Sequence, residues 1–262
     1  MRHFCLILGL VGLAACSTTY DVPVAPSGAQ TGASSVASGG ASRSPADFNR
    51  VKRRVEPVAE TVCREEAPSA PASYCDFRII FETDPDLPPN AFQTIGEDGR
   101  PVLVMTSTLL REMRSDDEIA FVLSHEAAHH VAEHLTKQQQ SQILGAMVAG
   151  GLAAALGGDL ATEKAVRDAM DVGAFVGARA YSQSYEYEAD WVGAFIAARA
   201  GYNPERGSQV FGRPALASGG GPVLLSTHPA SPRRLQLVSA AAQEIERQKA
   251  AGLTPRPDYA SR

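Results

Sequence analysis

The feature that most constrains this chain is a pair of histidines four residues apart, with a glutamate between them, inside an apolar segment. His125, Glu126 and His129 form the pattern H-E-x-x-H, and residues 119–123 just before it are all apolar. In an α-helix, His129 lies about 40° around the axis from His125 and one turn along, so both imidazoles project from one face. Because buried imidazoles need partners, the pattern predicts that both rings bind one metal ion.

The glutamate inside the motif has the position of a catalytic base. Glu126 projects about 60° from His129, close enough to contact a water on the ion without binding the ion itself. Two neutral imidazoles with a flanking carboxylate are the groups that a hydrolytic zinc site requires. Four of the six histidines of the chain fall between positions 125 and 134, which strengthens this interpretation.

A catalytic zinc also needs a third protein ligand and one open position. Residues 185–190 begin a predicted helix and supply the best candidates, because Glu186 and Asp190 are four residues apart and share a face, whereas Glu188 points away. One carboxylate would bind the metal while the other orients a ligating histidine through its free N–H. The alternative is an acidic helix start that is favoured by the helix dipole and binds nothing.

Three further histidines need separate interpretations. On a continuous helix His134 lies about 180° around from His125 and His130 about 140°, so both are expected to be surface, packing or ligand-supporting residues. His228 precedes Pro229, which favours an extended backbone. Its candidate roles are a hydrogen-bond donor to the transition state, a fourth ligand that closes the zinc site, or a turn residue that caps the last helix.

Taken together, these motifs resemble the HtpX and CAAX-prenyl-endopeptidase family of zinc metallopeptidases, which are gluzincins. The resemblance covers roughly residues 47–250, and the chain is most similar to the soluble periplasmic BepA/LoiP-like lipoprotein branch. The residues that carry the resemblance are His125-Glu126-x-x-His129 with His134, Glu186-x-x-x-Asp190-x-x-Gly193, Asn90-Ala91-Phe92, and His228-Pro229 followed by Arg234.

The resemblance implies a role for most of these side chains. The ligands that it implies, for one Zn²⁺ per chain, are His125, His129 and Glu186. It further implies that Glu126 is the general base and that Asp190 supports the ligands from behind. His228 and Arg234 become candidates for stabilising the oxyanion. The family often has arginine where this chain has Gln183, which weakens the expected support of the third ligand.

Hydrophobic periodicity predicts a mostly helical α+β domain with a small sheet. The resemblance implies a zincin-like metallopeptidase domain, with the sheet packed on the active-site helix. A Ser-x-x-Glu capping box at Ser115 opens that helix, which is expected to run to about Lys137. The other expected helices cover residues 47–66, 106–114, 162–180, 184–200 and 232–249. The expected strands cover residues 77–82 and 101–105.

The start of the chain predicts export. Residues 1–15 combine a charged start with a short apolar run, as in a signal peptide, and residues 13–16 (Leu-Ala-Ala-Cys) resemble a lipobox. The lipobox implies lipid on Cys16, and Ser17 after it implies sorting to the outer membrane on the periplasmic side. An ordinary signal peptide that happens to contain a cysteine is the alternative.

Composition divides the rest of the chain. Residues 16–46 are rich in Ser, Ala, Gly and Thr and predict a lipid-anchored flexible linker. Residues 47–252 are the expected peptidase domain, and residues 253–262 the expected disordered tail. The net charge is −5 and no long basic cluster occurs, so nucleic acid is excluded as a partner.

Two local features carry their own expectations. Cys63 and Cys75 are the cysteines outside the signal, and in an exported protein such a pair is expected to form a disulfide. Residues 143–158 are apolar and rich in alanine and glycine. A packed helix or a mobile flap near the site is favoured there over a membrane-embedded hairpin, because the run is short for spanning.

The sequence thus predicts a zinc-dependent endopeptidase of the bacterial cell envelope that acts on polypeptide substrates. The resemblance implies misfolded or stalled envelope and outer-membrane proteins as those substrates, and the lipid on Cys16 would attach the enzyme to the membrane. The first alternative is a chaperone-like assembly factor for outer-membrane proteins, with proteolysis latent or auto-inhibited by His228. The second is a structural lipoprotein in which H-E-x-x-H is accidental.

Overall fold

The computed structural model describes residues 42–156, 162, 164, 182–213, 216 and 224–257. The predicted signal peptide, Cys16, most of the linker and nearly all of the helix expected at 162–180 lie outside the described residues.

The described residues form a mostly helical α+β fold with one small sheet, which confirms the predicted fold class. The strands are β1 (Arg78–Glu82), β2 (Ala91–Ile95) and β3 (Pro101–Thr106). The first helices are α1 (Pro45–Glu66), α2 (Ser107–Glu112), α3 (Asp116–Val131) and α4 (His134–Leu156). The later helices are α5 (Ser182–Arg199), α6 (Pro204–Ser208), α7 (Leu224–Thr227) and α8 (Pro232–Ala250).

Helix α1 covers one side of the helix that carries H-E-x-x-H. It begins two residues before the predicted start, because the Ser44 hydroxyl accepts from the Asp47 backbone N–H at 3.3 Å while the Asp47 carboxylate accepts from the Ser44 N–H at 2.9 Å. Its apolar residues recur at helical spacing and are fully buried against α3, namely Phe48, Val51, Val55, Ala59 and Val62. This face closes one side of the core.

The sheet has the strand order β1-β3-β2, with β1 parallel and β2 antiparallel to β3. Strand β3, in which every residue except Val104 is buried, was predicted. Strand β2 was missed, because only Ala91 of its residues is buried and Phe92 and Ile95 are exposed. A strand without apolar alternation gives no period-2 signal. The strand order makes β2 an edge strand of the described sheet. The sheet packs on α3 through β2 and β3, so this edge strand lies beside the motif helix.

The motif helix ends earlier than predicted. Ser115 caps α3 as expected, but α3 stops at Val131 and a new helix begins at His134, so the expected end near Lys137 is wrong. Between them Glu133 adopts a left-handed conformation with φ of 58°. The sequence gives no signal for this break, because glutamate is not a residue that usually adopts positive φ. The break changes the direction of the chain and decides where His134 lies.

Helix α4 presents an apolar face that is not packed. Its large side chains are 59–64% exposed, namely Ile143, Leu144, Met147, Val148 and Leu152. The expectation of a packed helix is therefore wrong for the described part of residues 143–158. No helix within the described ranges is long and apolar enough to cross a membrane.

The first residues of the predicted tail, 253–257, contact helix α8, and residues 258–262 lie outside the described residues. After α8, the Gln248 amide oxygen accepts from the Arg256 backbone N–H at 2.8 Å, and its amide nitrogen donates to the Arg256 carbonyl at 3.0 Å. These bonds fold residues 253–257 back on the helix. The expectation of a disordered tail is therefore wrong for these five residues.

A disulfide joins Cys63 near the end of α1 to Cys75 in a short 3₁₀ turn, Ala72–Cys75. The same turn contacts α3, because the Tyr74 carbonyl accepts from the ring nitrogen Nε2 of His130 at 2.7 Å. Burial lowers the pKa of His130, which favours the neutral imidazole in this contact. His130 is thus a packing residue that ties the disulfide turn to the motif helix.

Replacing both Cys63 and Cys75 by serine should lower the free energy of unfolding by about 3 kcal/mol, because the crosslink restricts a loop of about a dozen residues in the unfolded chain. Urea unfolding with and without a reductant measures this change. The double-serine variant should have the same free energy of unfolding with and without the reductant. A wild-type protein whose unfolding is insensitive to the reductant would contradict the prediction.

Candidate metal centre

The site is built on the close packing of α3 against α5. Gly193 of α5 lies against the backbone of His125, where an added Cβ would sit 3.1 Å from both the Cα and the N of that residue. Since real Cβ contacts are rarely this short, glycine is what allows the two helices to approach at this point. The approach brings Glu186 and Asp190 of α5 next to the histidines of α3.

Four side chains converge in the space between these helices: His125, His129, Glu186 and His228. His125 Nε2 lies 3.0 Å from His129 Nε2, 3.2 Å from His228 Nδ1 and 3.3 Å from Glu186 Oε2. Glu186 Oε1 lies 3.4 Å from His129 Nε2 and 3.1 Å from His228 Nδ1. The candidate residues from three separate parts of the sequence therefore meet at one point.

The spacing of these donor atoms fits a tetrahedral metal ion. Zinc binds imidazole nitrogen and carboxylate oxygen at about 2.0–2.2 Å, so the corners of a tetrahedron around it lie about 3.3 Å apart. The five separations given above, taken to one or the other carboxylate oxygen of Glu186, are 3.0–3.4 Å and lie close to that value. With one ligand atom from each residue, the four donors all lie within 4.8 Å of one another. Three imidazole nitrogens and one carboxylate are also a donor set that suits a divalent metal of borderline softness.

The electrostatics of the cluster keep its carboxylate ionised. Burial by itself raises the pKa of Glu186, but the His228 ring and the hydrogen bonds from His125, His129 and His228 outweigh burial and hold the pKa well below its ordinary value. A buried carboxylate that stays charged among imidazoles is a prepared ligand for a cation. Glu186 is thus present in the protonation state that metal binding requires.

Asp190 lies one turn after Glu186 and faces the other side of His125. Its Oδ1 is 3.1 Å from His125 Nδ1, though not in the alignment of a well-formed hydrogen bond. Burial raises the pKa of Asp190, but the guanidinium of Arg234 outweighs it and holds the pKa below its ordinary value. A charged Asp190 is therefore available to the ring nitrogen of His125 that faces away from the cluster.

Arg234 lies behind the cluster rather than in front of it. Its Nε and Nη2 each donate to Asp190 at 2.7 Å, and its Nη1 donates to the carbonyls of His228 and Pro229 at 3.1 and 3.2 Å. Nη1 is also 3.1 Å from Glu186 Oε2, and the side chain is only 3% exposed. These contacts favour a positioning role for Arg234 over the direct contact with substrate that the sequence suggested.

Glu126 lies beside the cluster without belonging to the four donors. Its residue is 1% exposed, and its Oε1 lies 3.2 Å from His228 Nε2. Within the described part of the chain, this oxygen has no well-formed hydrogen bond. A buried carboxylate oxygen without a hydrogen bond destabilises the folded protein, and such groups are often found where they have a catalytic role. Its position next to the donor atoms is that of a group which exchanges protons there.

His228 fills the fourth corner of the cluster. It follows the short helix α7, and its backbone N–H donates to the Leu224 carbonyl at 2.8 Å. Its Nδ1 faces Glu186 and His125, while its Nε2 faces Glu126. The alternative that His228 caps the last helix is wrong, because the side chain of Ser231 caps α8.

Sequence reasoning missed Glu188 and left the position of His134 open. His134 Nδ1 lies 2.9 Å from His129 Nδ1, and its Nε2 lies 3.0 Å from Glu188 Oε2. Burial lowers the pKa of His134 well below its ordinary value, and the neighbouring His129 and Lys137 act in the same direction. Glu188 does point away from the four donors, as predicted, but it is buried and turned toward His134.

The sequence match to known families agrees with this geometry. The model of peptidase family M48 matches residues 45–242, which is most of the chain and includes all four donor residues. No curated protein matches the sequence.

Replacing Gly193 by alanine should lower the free energy of unfolding by about 1–3 kcal/mol and weaken metal binding, because the new methyl group forces α5 away from His125. The matched control is Gly151→Ala in α4, where the added Cβ meets nothing within 4 Å. That change should raise helix stability by about 0.5–1 kcal/mol. Chemical unfolding and metal titration of both variants check the prediction, and equal behaviour of the two would refute it.

Proposed function

The chain belongs to peptidase family M48 and is a metallopeptidase, and we propose that it is a zinc-dependent endopeptidase in which His125, His129 and Glu186 bind the metal. The observation that carries the proposal is the convergence of these side chains: His125 Nε2 and His129 Nε2 lie 3.0 Å apart, and each lies 3.3–3.4 Å from a carboxylate oxygen of Glu186, near the edge length of a tetrahedron around zinc. The low pKa of Glu186 supports the same assignment, because that ligand must be ionised to bind.

When bound, zinc would supply Lewis-acid polarisation of a peptide carbonyl and of water at near-neutral pH. The protein supplies the proton transfers. In this proposal Glu126 accepts a proton from the attacking water and delivers it to the departing amine of the cleaved bond. The position of its Oε1 beside the donor atoms supports this role, because its contact with His228 Nε2 at 3.2 Å is not a well-formed hydrogen bond that the base would have to break first.

The substrate in this proposal is an extended polypeptide that pairs with the edge strand β2. Exposed Phe92 and Ile95 lie on this strand, which is at the edge of the described sheet, and main-chain pairing at a sheet edge is a common mode of peptide recognition. The strand is tied to the cluster, because the Thr227 hydroxyl contacts the side chain of Asn90 at 3.2 Å and the Leu224 N–H donates to the Pro89 carbonyl at 2.9 Å. A peptide on β2 would therefore run close to His228.

The cellular setting is also a proposal. The signal-like residues 1–15 and the lipobox cysteine Cys16 support a protein that is lipid-anchored to the outer membrane on its periplasmic side. The resemblance to the BepA/LoiP-like branch supports misfolded or stalled envelope proteins as substrates. Both statements rest on sequence alone.

The variant Glu126→Gln should keep one zinc per chain and lose peptidase activity by about 10²–10⁴-fold, because the amide cannot accept a proton from water. Elemental analysis and cleavage of an unfolded reporter protein measure the two properties. The controls are His129→Ala and Glu186→Ala, which should lose the zinc as well as the activity. Proteolysis that persists in Glu126→Gln would rule out the assigned base.

A second candidate function is favoured by the position of His228. Catalytic zinc sites keep one open coordination position, whereas sites with four protein ligands are closed. His228 Nδ1 takes the fourth corner, and its Nε2 lies against the base Glu126. This geometry supports a latent peptidase that binds and assists other envelope proteins while its own site is shut. An assembly-promoting effect that survives Glu126→Gln would support this function.

Replacing His228 by alanine should raise peptidase turnover about tenfold or more at one zinc per chain, if the closed form dominates the resting protein. Three ligands remain, so zinc content should not change. Turnover and zinc content are measured together, with Glu126→Gln in the same background as the control that must be inactive. A fall in turnover at full zinc content would instead assign His228 to the transition state as a hydrogen-bond donor.

A further inference from the structure

A buried row of side chains leads away from the cluster behind His129. His129 Nε2 faces the other donor atoms, and its second ring nitrogen, Nδ1, lies 2.9 Å from His134 Nδ1. His134 Nε2 in turn lies 3.0 Å from Glu188 Oε2. His134 and Glu188 are each only 3% exposed. Neither residue is one of the four donors, so metal binding does not by itself explain why both are buried.

The fold makes this row by breaking the motif helix. On a continuous helix His134 would lie about 140° around from His129 and could not meet it. The left-handed Glu133 ends α3 and starts α4 in a new direction, which returns the His134 ring to the side of His129. The Tyr185 ring then stacks on His134 at 4.5 Å, with the two planes 16° apart. The imidazole is thus held in orientation on its face as well as at its edges.

The direction of the hydrogen bonds follows from the ligand role of His129. If Nε2 of His129 offers its lone pair to a metal, its proton sits on Nδ1 and is donated to His134 Nδ1. His134 then carries its own proton on Nε2 and donates it to the Glu188 carboxylate. Each ring nitrogen of the two histidines thus either donates or accepts one bond, and the row ends at the Glu188 carboxylate. Lys137 Nζ, 3.8 Å from Glu188 Oε2, compensates that charge.

We propose that His134 and Glu188 are positioning residues for the metal ligand His129, acting as a relay in which Glu188 fixes the tautomer of His134 and His134 fixes the tautomer and orientation of His129. The inference rests on the proposed ligand role of His129. A carboxylate behind a ligating imidazole orients the ring and raises its basicity. Here the carboxylate acts through a second imidazole, whereas Asp190 faces the other ligand, His125, directly.

In this proposal the three carboxylates at the start of helix α5 contact different parts of the site. Glu186 faces the donor atoms, Asp190 faces His125, and Glu188 points to the opposite side and reaches His129 through His134. Residues 186 and 190 share a face of the helix, and residue 188 lies about 200° from residue 186. Both histidines of the motif are therefore supported from the same helix that supplies the third ligand.

The test uses the full-length protein and zinc itself. The variant Glu188→Gln should raise the Kd for zinc about 10–100-fold, measured in competition with a chromophoric chelator. The reason is that the amide carries no negative charge and can either donate to or accept from His134, so it does not fix the tautomer of that ring. Ring ¹⁵N spectra should show His134 protonated at Nε2 in the wild type and a mixture of tautomers in the variant. The matched control is Glu65→Gln, which breaks the ion pair with Arg199 at the other end of α5 and should leave the Kd unchanged.

A double-mutant cycle separates the relay from a general packing role. His134→Phe keeps a ring against Tyr185 but removes both nitrogens, so it should weaken zinc binding by a similar factor. Adding Glu188→Gln to His134→Phe should then cause no further rise in Kd, because the two residues act only in series. Effects that multiply, or a Glu188→Gln variant with wild-type Kd and tautomer, would overturn the relay. A wild-type protein that binds no zinc would overturn the ligand assignment as well.

Discussion

The close packing of α3 against α5 is the contact on which the rest of the structure depends. Gly193 lets α5 lie directly on the backbone of His125, and at that separation the carboxylates of α5 meet the imidazoles of α3. Because α3 is held by α1 and the sheet, and α5 is held by α3, α1 and α8, the donor atoms of His125, His129 and Glu186 are fixed by buried helices. These three ligands are therefore preorganised for metal binding.

This packing creates an electrostatic problem that the site residues solve together. Glu126, Glu186, Glu188 and Asp190 are all buried in or beside the cluster. Removing carboxylates from water costs several kcal/mol each unless cations or hydrogen bonds replace the solvent. Arg234 is the main cation behind the cluster, and it binds Asp190 in a two-pronged contact while also approaching Glu186. A divalent metal would supply the remaining positive charge at the point where Glu186 and the imidazoles meet.

The sequence predicted what depends on helical period and could not predict what depends on the break in it. His125, Glu126, His129, Glu186 and Asp190 were singled out because their spacings place them on common helix faces, and the structure brings them together. The relay was missed because it requires the left-handed Glu133, for which glutamate gives no signal. Strand β2 was missed for a related reason, since an edge strand with one buried residue has no apolar alternation. The tertiary environment, not local preference, determines both features.

The contacts of His228 also bear on whether binding and cleavage are one function or two. Arg234 holds the backbone carbonyls of His228 and Pro229, whereas the His228 ring contacts Glu186, His125 and Glu126 of the site. Opening the fourth corner therefore requires rotation of one side chain while the backbone stays in place. A ligand can shift such an equilibrium only by binding the open form more tightly than the closed form. A polypeptide that pairs with β2 without competing for the position of the ring would bind and not be cleaved, whereas one whose scissile carbonyl displaces the ring would be cut. In the proposed function, a site with His228 in its fourth corner would thus permit both an assembly role and a peptidase role, and the polypeptide bound on β2 would decide between them.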